Sequence, residues 1–244
     1  MKFSEPLVQG RLIRRYKRFL ADVELPTGGY MVVAHCANPG SMAGLAEPGA
    51  EVWLSPSSNP KRKLKWTWEL VRDAGTGGLV GIHTGRANAI VEDALTAGLV
   101  DPSLRFDRFR REVKYGTGSR VDFMLESDAG PPCYLEVKSV TLRRSLQRPH
   151  HAEFPDAVTA RGARHLQELA NVKKAGARAV LVYLVQRDDC DTVGLAADID
   201  PAYAAAAQDA VSHGVEMFAL RCRLSPEEII ATGPLPMAPL PPAR

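Results

Sequence analysis

The sequence predicts an α/β protein with an all-β N-terminal domain: a small Greek-key barrel such as an OB-fold, then a mixed sheet flanked by helices. Three observations carry this. Up to about residue 83 short strand-like pieces alternate with turn signals. Beyond it the order reads helix, three strands, helix, strand. Two neighbouring strands of that second part carry an acid and an acid–lysine pair.

The barrel strands are expected at Arg18–Leu25, Tyr30–Cys36, Glu51–Ser55, Trp68–Arg72 and Leu79–His83. Pro26-Thr27-Gly28-Gly29, Asn38-Pro39-Gly40, Glu47-Pro48-Gly49 and Gly75-Thr76-Gly77-Gly78 supply the turns between them. The glycines at 75–81 are a turn and not a phosphate loop, because no Gly-Lys-Ser/Thr follows. Ala87–Leu99 then reads as a helix with Ile90, Val91, Ala94, Leu95 and Leu99 near one face. Strands follow at Glu112–Tyr115, Arg120–Glu126 and Cys133–Leu142, with short connections that suit antiparallel neighbours. A helix at Thr159–Lys174 is stopped by Gly176. Arg178–Gln186 reads as a buried strand, Pro201–His213 as a helix and Val215–Arg221 as a last strand. The expected units are 1–83, 84–232 and a loose proline-rich tail over 233–244.

Lys and Arg number 31 against 28 Asp and Glu, and a net charge of +3 excludes a bulk polycation. The charge is uneven. Arg14, Arg15, Lys17 and Arg18 cluster, as do Lys61, Arg62, Lys63 and Lys65 beside Trp66 and Trp68, and as do Arg105, Arg108, Arg110, Arg111 and Lys114. Acids dominate from Asp188 onward. That polarity suggests one face for a polyanion, with Lys61, Arg62 and Lys63 on phosphates and a tryptophan stacking or in the core. No apolar leader follows Met1. The longest apolar run, Ala177 to Val185, is strand-length, and Cys36, Cys133, Cys190 and Cys222 form no C-x-x-C pair. The expectation is a cytoplasmic protein with reduced thiols and no membrane contact.

The chemistry is expected at Asp122, Glu136 and Lys138. In Arg120–Leu125 the alternation sets Asp122 opposite Val121, Phe123 and Leu125. In Leu135–Ser139 it puts Glu136 and Lys138 on one face. Two carboxylates suit a hard cation such as Mg²⁺ (or Mn²⁺), which acidifies water and neutralises charge on a phosphoryl oxygen. A lysine two residues on can orient the attacking water. Asp followed by Glu-x-Lys on a central hairpin after a helix is the PD-(D/E)xK nuclease pattern. His150, His151 and His165 lack zinc-ligand spacing and read as solvated or helix-surface residues. Asp156 or Thr159 is expected to cap the following helix. In a nuclease, Thr159, Arg161 and His165 approach the scissile phosphate instead.

The chain resembles the sugar fermentation stimulation protein A family. The matching stretches are Arg15-Tyr16-Lys17-Arg18-Phe19, His35-Cys36-x-Asn38-Pro39-Gly40-Ser41-Met42, Glu112-Val113-Lys114-Tyr115, Ser119 to Leu125, Glu136 to Leu142, and Phe154 to Gly162. The resemblance implies an OB-fold, a restriction-endonuclease-like domain, DNA binding with little sequence preference, and an acidic pair and lysine at Asp122, Glu136 and Lys138. Arg143 to Glu153 departs from it, being longer and more basic. Two readings follow. One is a Mg-dependent nuclease that grips DNA through Arg14, Arg15, Lys17, Arg18, Lys61, Arg62 and Lys63. The other is a DNA-binding protein or regulator of sugar-metabolism genes whose acidic site is vestigial.

Overall fold

The computed structural model describes residues 1–116, 118–144 and 148–241. Strands β1 (Val8–Tyr16), β2 (Leu20–Glu24), β3 (Met31–Cys36), β4 (Glu51–Pro56) and β5 (Trp66–Arg72) form the barrel. β1 pairs with β2 and β4, β2 with β3, β4 with β5, and β3 with β5 in parallel, which closes the ring. β6 (Leu79–Gly81) extends β5. Five strands closed in this order are OB-like, as expected. The first strand is the difference: β1 occupies the stretch read only as a basic cluster. Leu12, Ala21, Ala34, Leu54 and Trp68 fill the interior, and Trp68 spends its indole N–H on the Leu70 carbonyl at 2.8 Å. Trp68 is therefore core and not a stacking ring.

A 3-10 turn at Thr84–Arg86 leads into α1 (Ala87–Thr96). A six-stranded sheet follows, built from β7 (Arg108–Tyr115), β8 (Ser119–Ser127), β9 (Gly130–Val140), β11 (Arg178–Val185), β13 (Glu216–Leu224) and β14 (Ile229–Pro234), in the order β14-β13-β11-β9-β8-β7. β7, β8 and β9 are an antiparallel meander, and β11 lies parallel to both β9 and β13. α1 covers one face with Ile90, Val91 and Leu95 against Phe123, Leu135 and Val182. α2 (Ala160–Lys174) and α3 (Pro201–Ser212) cover the other. Strands buried on both faces lose the polar alternation, which is why Arg178–Val185 reads as one apolar run. A parallel pair, β10 (His151–Phe154) and β12 (Thr192–Leu195), stands apart from the main sheet.

The two parts share a core. Trp53, Leu70 and Leu79 of the barrel pack in the same cluster as α1 and the large sheet, joined by Phe3 and Leu7. Arg187, 1% exposed, reaches across to Asp73 and back to Asp189, both at 2.7 Å. The expected loose tail is a further difference over its first residues: Leu235 is buried and bonded to Ala219, and Ala238 to Val193. Among the described residues no helix is long and apolar enough to cross a membrane. All four cysteines are buried and unpaired with one another.

Candidate active site

The β8–β9 ladder runs from Ser127/Gly130 to Phe123/Leu135 and stops there. Beyond that point the strands part, and the Asp122 carboxylate takes the place of a ladder partner. It accepts the Val137 backbone N–H at 2.7 Å through one oxygen and the Asn88 amide at 2.7 Å through the other. Asn88 lies in the first turn of α1, so the helix fixes the carboxylate from the side. Glu136 and Lys138 line the same cleft as Asp122, under α2, where Lys138 Nζ is 2.7 Å from Glu136 Oε1.

Glu136 is 3% exposed. His165 also holds its Oε1, through Nδ1. Arg161 donates to His165 Nε2 at 3.3 Å, so that nitrogen carries the lone pair and Nδ1 carries the proton given to Glu136. Glu136 Oε2 is buried with no hydrogen-bond partner. His165 is thus a buried site residue and not a solvated one; His151 is buried too, against Thr192. The signal was present, because the helix's buried stripe of Gly162, Leu166 and Leu169 passes through position 165.

Electrostatics separates the two carboxylates. Burial and the neighbouring Glu136 charge push Asp122 up to about 6, against the Val137 N–H, Asn88 and Lys138. Burial pushes Glu136 up as well, but the His165 hydrogen bond and the Lys138 charge hold it below the usual carboxylate value. Two acids with one proton-holding and one ionised environment, plus an unsatisfied buried oxygen, suit a hard divalent cation. Among the described residues no three His, Cys, Asp or Glu side chains form a complete ligand set.

The site opens into a cleft of about 670 Å³ between the two parts of the chain. Arg18, Asn38, Pro39 and Gly40 of the barrel line it, as do Asn88, Arg111, Arg161 and the 153–159 segment. Thr159 caps α2 by accepting the Gly162 N–H at 3.0 Å. Asp156 does not cap the helix: it accepts the Met42 N–H at 3.2 Å and joins the two parts.

The basic residues divide. Arg14 is paired with Asp22 at 2.7 Å. Arg15 spends its guanidinium on the carbonyls of Arg18, Asn38, Gly40 and Ser41, which makes it a brace for the loop beside the cleft. No salt bridge reaches Lys17, Arg18, Lys61, Arg62 or Lys63 among the described residues, and Arg18 faces the cleft. In the 143–153 segment, Arg143 is held by Asp189, and Arg144 by Glu153 and Asp198. The acids of the C-terminal part thus neutralise that loop. Positions 145–147 lie outside the described residues.

A family model described as the sugar fermentation stimulation protein RE domain matches residues 85–228, and the SfsA N-terminal OB domain matches residues 13–82. The chain belongs to the sugar fermentation stimulation protein family. The family's homolog from Maricaulis maris is 52% identical over 96% of this chain and 97% of its own. That from Paramagnetospirillum magneticum is 53% identical over 97% and 98%. The solved structure of Pyrococcus furiosus SfsA in complex with Ca²⁺ superposes with a TM-score of 0.85 at 27% identity, covering 98% of both chains. The family resemblance read from the residues therefore holds over both parts.

Proposed function

We propose that this protein is a cytoplasmic, divalent-metal-dependent nuclease that binds DNA with little sequence preference and cuts its phosphodiester backbone at Asp122, Glu136 and Lys138. The observation that carries the proposal is the buried, unpartnered Oε2 of Glu136 beside a second carboxylate held near pKa 6. Asp122 and Glu136 would hold Mg²⁺ or Mn²⁺, with backbone carbonyls and water completing the shell. A related chain of the same fold is described as a complex with Ca²⁺, a hard cation of the same oxygen-seeking class. When bound, such an ion acidifies water and offsets charge growing on the phosphate.

The protein's own residues do the rest. Asn88 and the Val137 N–H fix Asp122 so that both its oxygens keep one orientation. His165 fixes Glu136, as an outer partner commonly fixes a ligating carboxylate. Lys138 stands within reach of the same oxygen, and its ammonium would orient the attacking water. Lys17, Arg18, Lys61, Arg62 and Lys63 meet DNA phosphates, which need no base reading. No helix-turn-helix or finger element is present among the described elements to read sequence.

The test is incubation with plasmid and branched DNA in Mg²⁺, Mn²⁺ or EDTA. Cleavage that needs the metal and is lost in Glu136→Gln is the expected result. Binding without cleavage under every metal condition would leave a DNA-binding protein and remove the nuclease.

A further inference from the structure

The cleft above the acidic pair is built from two unlike linings. One is charged: Arg18 from the turn between β1 and β2, Arg161 from the first turn of α2 and Arg111 from β7, which also holds Glu92 at 3.0 Å, with Glu112, Glu153 and Asp156 lining the cleft beside them. The other is apolar: Pro39 of the barrel and Val158 are exposed, beside half-buried Phe154 and Ala157 and buried Pro155. Val158 is 75% exposed, and nothing in the fold asks for an apolar side chain there. A double helix turns its phosphates outward and keeps its bases paired inside, so a duplex passing over this site would use only the arginines. An unpaired strand offers both surfaces, phosphates for the arginines and base faces for the apolar residues.

The rim is also closed on one side. Asp156 holds the Met42 N–H from across the cleft. Its carboxylate lies so near Gly40 that a Cβ there would clash with it. The 38–42 loop cannot swing away easily. Asn38 Nδ2 donates to the Ile82 carbonyl at 3.0 Å, its Oδ1 accepts the Gly40 N–H at 2.8 Å, and Arg15 braces three further carbonyls. A braced bridge between the two parts thus bounds the cleft over the carboxylates on this side.

We propose that the cleft takes DNA whose bases are unpaired, as a single strand or as the splayed end of a duplex, with phosphates on Arg18, Arg111 and Arg161 and a base face on Val158 and its apolar neighbours. This rests on the nuclease reading above and names its substrate. Covering part of a base with this aliphatic surface amounts to a severalfold gain in affinity.

The experiment compares fluorescein-labelled strands of one sequence: single-stranded, blunt duplex, and duplex with a short unpaired tail. Binding is read by anisotropy in EDTA, and cleavage is mapped in Mg²⁺ or Mn²⁺. The single strand and the tailed duplex are expected to bind severalfold more tightly than the blunt duplex. Cuts are expected within or at the base of the tail. Val158→Ser, an uncharged change at a position too exposed to disturb folding, should lower single-strand binding severalfold and leave blunt-duplex binding as it was. Equal binding of all three DNAs, or a Val158→Ser variant that behaves as wild type, overturns the inference. Single-strand preference without cleavage in either metal would remove the nuclease reading while leaving the strand preference standing, so the two failures are distinct.

Discussion

In the metal-free protein the Asp122 carboxylate sits in water-poor surroundings beside Glu136, and at neutral pH its charge destabilises the fold. A pKa of about 6 against an ordinary 3.8 converts to about 3 kcal/mol of charging cost. Asp122→Asn keeps the volume and removes that cost. The new amide oxygen can still accept the Val137 N–H. Its NH₂ group then meets the Asn88 NH₂, and Asn88 must turn its own oxygen inward or forfeit about 1 kcal/mol. The net expectation is a gain of about 2 kcal/mol, or about 4–8 °C in melting temperature for a chain of this size. Between pH 3.8 and 6 the native state holds a proton that the unfolded chain has lost. Wild-type stability therefore falls as pH rises through that window, and the variant lacks the slope. Thermal melts in EDTA at pH 7 and at pH 4 should show the gap open at the first and nearly closed at the second. Added Mg²⁺ should reverse the order, because only the wild type gains about 2.7 kcal/mol at a hundredfold excess over Kd. An Asp122→Asn protein less stable than wild type at pH 7 in EDTA would refute the argument, as would a gap that persists at pH 4.

Replacing Lys61, Arg62 and Lys63 by Ala should lower the salt slope of DNA binding by nearly one unit per lost phosphate contact, measured by filter binding across salt. An unchanged slope would place these residues off the DNA face. Lys138→Ala should keep the metal-dependent rise in melting temperature and lose plasmid cleavage; loss of both would make the lysine part of the ion's binding. Metal affinity at the site should weaken as pH drops below about 6, where a proton competes for Asp122, and isothermal titration at pH 5 and 7.5 would read this. Arg187→Ala leaves Asp73 and Asp189 without their buried partner and should cost about 3–5 kcal/mol in urea unfolding.

The elements that bury a continuous or regularly spaced apolar set were legible: β11 as an unbroken run, α1 through its stripe, and the Asp122 and Glu136 strands through their alternation. β1 was not, because Gly10 and Leu12 are its only fully buried residues and its exposed positions mix Gln9, Arg11, Ile13 and Arg14. β7 begins earlier than its apolar residues suggest, since it is an edge strand whose Arg108, Arg110 and Arg111 pair with Glu126, Asp128 and Glu92 and need no core. That Asp122, Glu136 and Lys138 lie near one another could be expected from the alternation on two neighbouring strands. What arranges them could not, because Asn88, His165 and Asp156 reach the site from segments distant in the chain. The role of Arg15 was hidden for the same reason: charge composition counts a cation but not the carbonyls that occupy it.

The joint packing of Phe3, Trp53, Leu70 and Leu79 with Leu220 and Ile229 has a consequence for synthesis. The barrel strands are all made by residue 81, yet the cluster that covers the flank carrying Trp53 and Leu70 is complete only when the far sheet strands leave the ribosome. Lys2 waits longer still, since its bridge is to Glu228. For most of translation the nascent barrel therefore carries a sticky side, and contacts this remote in sequence form slowly. A chain released early, without β13 and β14, would keep its barrel and expose that side to whatever chaperone or aggregate meets it first.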